Sequence, residues 1–142
     1  MSELPPLYRD QRQVDANHLK WLAIGHFVGA GLAVPGLLFI LGHFAIFSLV
    51  FSDPKLWQNQ RSGPPPAAFF ALAQVFYLVF GLWYAMSGVL NLLSGLFIRA
   101  RKHRMFSLIV AGINCFHTPI GTVLGVFTFV VLLRSSVREL YP

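Results

Sequence analysis

The sequence predicts an all-α integral membrane protein, a helical bundle of three long, kinked transmembrane helices. Three observations predict it. Apolar runs cover 19–51, 67–98 and 105–133, each longer than the about 20 residues that cross a bilayer core. None of the five acids lies inside a run. Small residues recur along all three runs at helical spacing, the pattern that lets membrane helices approach closely. Composition agrees: 56% of the residues are hydrophobic and 11% charged, against about a quarter charged in soluble domains. Mean hydropathy is +0.63. The 142 residues make one transmembrane domain, 19–133, between a polar tail at 1–18 and another at 134–142.

The formal charge is +6. Lys and Arg stand at the ends of the apolar runs, so they read as orienting signals facing lipid head groups, not as a nucleic-acid surface. No basic stretch leads into a short apolar core and a cleavage site, so the first run is expected to direct insertion itself. Asp15 or Asn17 can cap its helix.

The first run holds 33 residues, about 50 Å of helix. It reads as one tilted helix, kinked at Pro35-Gly36. Gly25, Gly29 and Ala33 recur every four residues and form its contact face. The stretch 52–66 is a loop, because Asp53-Pro54 starts a turn and three consecutive prolines end it. Leu56 and Trp57 can anchor it at the head groups. In the second run Gly81, Ala85, Gly88, Leu92 and Gly95 form a small stripe, beside a polar one of Ser87, Asn91 and Ser94. Trp83 and Tyr84, near its middle, read as packing residues.

Positions 99–104 carry four fixed positive charges and no acid, which places them in the cytoplasm. In the third run Ser107, Ala111, Asn114, Thr118, Gly121, Gly125 and Thr128 follow unbroken 4-3-4-3-4-3 spacing. They make a protein-facing stripe, while Ile109, Phe116, Val123, Phe127 and Val130 face lipid. A single kinked span through Pro119 is preferred. The alternative has four segments, with this run folded into a re-entrant hairpin. Three crossings put seven Lys and Arg inside and four outside; the hairpin improves this to nine against two. Its arms, however, hold only about 21 Å of helix each, too short to cross.

Intramembrane histidines are candidate functional groups. His26, His43 and His117, with Asn91 and Asn114, are the candidates to line a site for quinone, lipid or haem. On three spans His26 and His43 lie about 10 Å and about 15 Å from the level of His117, which disfavours two axial ligands on one haem iron. Hydrogen bonding between helices, with Asn91, Asn114, Ser87 or Thr118 as partners, is the preferred role. No metal site, resident cofactor or catalytic group is expected: carboxylates are absent from the runs, and Cys115 and His117 stand about 200° apart on a helix. The single cysteine forms no internal disulfide and reads as a buried hydrophobe.

The closing third carries Pro119, Gly121, Thr122, Leu124, Gly125 and Phe127 in the pattern Pro-x-Gly-Thr-x-Leu-Gly-x-Phe/Tyr. A tail with Arg134, Arg138, Leu140 and Tyr141 follows. Together with the opening stretch from His18 to Phe27, this resembles a group of small, uncharacterised bacterial integral membrane proteins. The resemblance covers about half of the chain and implies a bacterial cytoplasmic-membrane, multi-pass protein, with no activity attached. The function expected is that of a structural, assembly or accessory subunit acting through helix packing, not an enzyme. Its partners would be membrane lipids and either further copies of itself or other membrane subunits, with no nucleic acid. An oligomeric channel or permease is the remaining alternative.

Overall fold

A computed structural model describes residues 6–58, 63–117 and 119–141, with side chains from 11 onward. Helix α1 spans Pro6–Phe51, α2 Ala67–Ala100, α3 Arg104–Asn114, α4 Ile120–Leu132 and α5 Ser135–Arg138, with a 3-10 turn at Pro54–Leu56. No strand occurs among the described residues. The expected all-α architecture holds, and α1 and α2 are long and apolar enough to cross a membrane.

Two expectations are corrected. The polar tail is not separate: α1 begins at Pro6, where a proline without an N–H is tolerated in the first turn. Asp15 and Asn17 are therefore interior helix residues, not caps. Asp15, Leu19, Leu22, Ala23 and His26 are all buried and share one helical face. The third run is not a single kinked helix either. It breaks after Asn114 and resumes at Ile120 as α4, which packs back against α3. Pro119 sits at the start of α4, as its missing donor favours. Pro35, in contrast, lies inside an uninterrupted α1.

The hairpin is made by glycine. A Cβ on Gly125 would stand 2.5 Å from the Ala111 carbonyl oxygen, and one on Gly121 would stand 2.6 Å from that of Asn114. Only hydrogen at these positions lets the two backbones meet. Folding back also preserves the face assignments. Ser107, Ala111, Asn114, Gly125 and Thr128 are buried, while Ile109, Phe116, Val123, Phe127 and Val130 are exposed. Thr118 lies outside the described residues.

The chain divides into two compact units, Met1–Gly31 with Ser87–Pro142, and Leu32–Met86. In the first unit, Leu19, Leu22 and Ala23 of α1 pack with Ile98 of α2, Leu108 of α3, Val131 and Leu132 of α4 and Val137 of α5. The connection from α2 to α3 turns through two left-handed residues, Arg101 (φ 54°) and His103 (φ 48°). In the second unit, α1 and α2 meet through an aromatic ladder in which Phe47 lies 5.8 Å from Tyr77 and 6.5 Å from Phe70. There the Tyr84 ring covers Gly36, and Leu37 approaches Gly81.

Candidate functional site

The first unit has a polar centre. His26 enters from α1, Asn91 and Ser94 from α2, Asn114 from α3 and Thr128 from α4, and all five are buried. Their positions follow from the stripes: each lies on the face of its helix that the small residues hold close to a neighbour. Gly25 and Gly29 flank His26, and both approach the Leu124 side chain; Gly29 also approaches Asn91. Gly95 lies against the Phe27 ring.

Asn91 is saturated. Its Nδ2 donates to Asn114 Oδ1 at 2.9 Å and to the Ser87 carbonyl at 2.9 Å. Its Oδ1 accepts from Asn114 Nδ2 at 2.8 Å and from His26 Nδ1 at 2.9 Å. Two donors and two lone pairs are all an amide has. Because Asn91 Oδ1 can only accept, Nδ1 of His26 carries the proton. In the neutral ring, Nε2 is then an acceptor, 3.1 Å from the Thr128 hydroxyl and 3.5 Å from that of Ser94. Thr128 also lies 2.7 Å from the Leu124 carbonyl. Its one proton can serve His26 or Leu124, not both, and Ser94 supplies the other hydroxyl.

Of the residues expected to converge, the structure brings together His26, Asn91 and Asn114. His43 belongs to the other unit, where it is exposed and its Nδ1 is hydrogen-bonded to the Tyr77 hydroxyl. His117 lies at the α3–α4 connection, half-buried, with Nδ1 3.4 Å from the Ile113 carbonyl. Thr128 and Ser94 complete the cluster. Both were visible as members of polar stripes, but neither was singled out as a partner of His26. Among the packing residues, Ala85 is exposed and Ala33 and Gly88 are half-buried. The face of α2 turned inward is that of Asn91, Ser94 and Gly95, not that of Ala85 and Leu92.

A second polar contact ties the ends of the first unit. Asp15 is buried and accepts from Gln11 at 3.1 Å and from Arg134 at 3.3 Å. Arg134 also reaches His18 Nδ1 at 3.1 Å. Replacing Asp15 with Asn should lower stability by about 1 kcal/mol, because the pair is partly open to solvent at Arg134. Thermal unfolding in detergent reads this, and an unchanged midpoint would make the ion pair incidental. Nearby, Arg104 Nε donates to the Leu132 carbonyl at 2.8 Å. The Tyr141 hydroxyl is pushed up to about 12 by burial, opposed by Arg101 and Arg104.

Among the described residues no group of three or more His, Cys, Asp or Glu is placed to hold a metal ion. No family model, no curated protein and no solved structure matches this chain.

Proposed function

We propose that the chain is a small integral membrane protein acting as a structural, assembly or accessory subunit through helix–helix packing. The observation that carries this reading is its inverted polarity. Five polar residues are locked together at the centre, while the most apolar windows of α1 and α2 are 0% buried within the molecule. Water would not tolerate so much apolar surface; hydrocarbon, or the face of another membrane subunit, would. Asn91 has no hydrogen-bonding capacity left, and both ring nitrogens of His26 face protein groups, which suits a clamp between helices rather than a reaction site.

The proposed topology has α1 and α2 crossing and the α3–α4 hairpin entering and leaving on one side. Its helices hold 11 and 13 residues, about 16 and about 20 Å, short of the about 30 Å hydrocarbon core. The amino terminus, the 99–104 segment and the carboxy tail are then cytoplasmic, with nine Lys and Arg inside and two outside. The compartment is the bacterial cytoplasmic membrane, in keeping with the resemblance of the closing motif. The chain works there in a homo-oligomer or beside other membrane subunits.

Single cysteines test this in a Cys115→Ser background. With an impermeant thiol reagent added outside intact cells, Lys55→Cys should label, whereas Lys102→Cys and Arg138→Cys should not. Labelling of Arg138→Cys would restore three crossings. Release of the protein by alkaline carbonate would end the membrane reading altogether. Native mass should exceed the 15.9 kDa of one chain, and a solitary monomer without partners would refute the subunit role.

A further inference from the structure

At the basic end of the first unit, Arg99, Arg101, Lys102 and Arg104 face no carboxylate. The one ion pair among the described residues joins Arg134 to Asp15, and Glu139 is exposed and outside it. Arg104 is held in place by its Nε bond to the Leu132 carbonyl. Among the described residues, its terminal nitrogens have no acceptor.

Tyr141 adds a second, independent observation. Its hydroxyl oxygen is shielded from solvent and has no hydrogen-bond partner, and the charges of Arg101 and Arg104 both act on it. A donor without an acceptor, within reach of two guanidinium groups, is a place where an oxyanion is missing. Guanidinium forks match phosphate oxygens in pairs, and the phenol would gain the acceptor it lacks. Directly beyond Arg104, Met105 and Ile109 are 67% and 62% exposed, so an apolar track one helical turn long leads away from the cations.

We propose that Arg101, Arg104 and Tyr141 bind the phosphate group of an anionic phospholipid, with an acyl chain lying along Met105 and Ile109. The site rests on the membrane reading above. The track favours a lipid over free phosphate, because an inorganic ion has no use for it.

The test uses the purified full-length protein in nonionic detergent, titrated with phosphatidylglycerol, phosphatidylcholine or inorganic phosphate. Native mass spectrometry counts bound lipid, and calorimetry reads the phosphate arm. Phosphatidylglycerol should bind about tenfold more tightly than phosphatidylcholine. Arg101→Gln should remove about fivefold of that preference, since one juxtamembrane cation contributes about that factor. Tyr141→Phe should weaken it further. Lys55→Gln, an equal charge change at the other end of α1, should leave it intact. Arg104 is spared because it also holds the Leu132 carbonyl.

Equal affinity for the two lipids would overturn the proposal, as would an equal loss in Lys55→Gln. Phosphate binding that Arg101→Gln abolishes, without any lipid preference, would assign the site to a soluble anion and overturn the lipid. Solubility without detergent would instead end the membrane reading, and short-chain phosphatidylglycerol would still report on the site.

Discussion

Gly125→Ala should destabilise the protein by about 3 kcal/mol, at the upper end of overpacking effects. The added Cβ would stand 2.5 Å from the Ala111 carbonyl oxygen, 2.7 Å from Cys115 Sγ and 3.2 Å from Cys115 N. Two of those three atoms are backbone, so no side-chain rotation relieves the clash. The gain in helix propensity from Gly to Ala, about 1 kcal/mol, works against the loss without cancelling it. Gly31→Ala and Gly42→Ala are the controls, since nothing lies within 4 Å of a Cβ at either. They should be neutral or gain up to about 1 kcal/mol. Unfolding in mixed micelles measures all three. Equal behaviour of the three variants would mean that α3 and α4 are not held by close backbone contact.

Asn91→Ala should cost about as much by a different route. The side chain joins α1 to α2 and α2 to α3 through His26 and Asn114. Interhelical hydrogen bonds in membranes average about 0.6 kcal/mol and reach about 1.7. Removing three of them at once accounts for about 2 kcal/mol. The His26 N–H and the Asn114 amide then remain buried without acceptors, which raises the loss to about 3 kcal/mol. A cycle with Asn114→Ala should show strong coupling, because the two amides exchange a reciprocal pair of bonds. Simple additivity of the two single variants would show that the cluster does not act as a unit.

Much of this was legible in the sequence. The apolar runs marked the helices, and the residues expected to face away from protein in the third run are all exposed. Its break was harder to read, for a definite reason. A stripe at 4-3-4-3 spacing fits one long helix, and it also fits two short helices folded together, because reversal leaves the inward face inward. Arm length weighed against the hairpin only on the assumption that each arm must cross. The start of α1 was misread because its residues are polar. Yet Asp15, Leu19, Leu22 and His26 recur at 4-3-4 spacing, and that face is buried. Periodicity carried the signal there, not hydropathy. The pairing of Asp15 with Arg134 spans 119 residues, beyond any local pattern. The same holds for the meeting of His26, Asn91 and Thr128: each was visible on its own helix, but their shared level depends on where the chain turns back.

The folded-back hairpin also bears on how the chain is inserted. In the proposed topology only the 52–66 segment must be carried across the bilayer during biogenesis, and it holds Asp53, Lys55 and Arg61 as its charges. A third crossing would require export of a tail bearing Arg134, Arg138 and Glu139 as well. Returning at Pro119 spares the insertion machinery that second transfer, and both termini remain in the compartment where the chain is made.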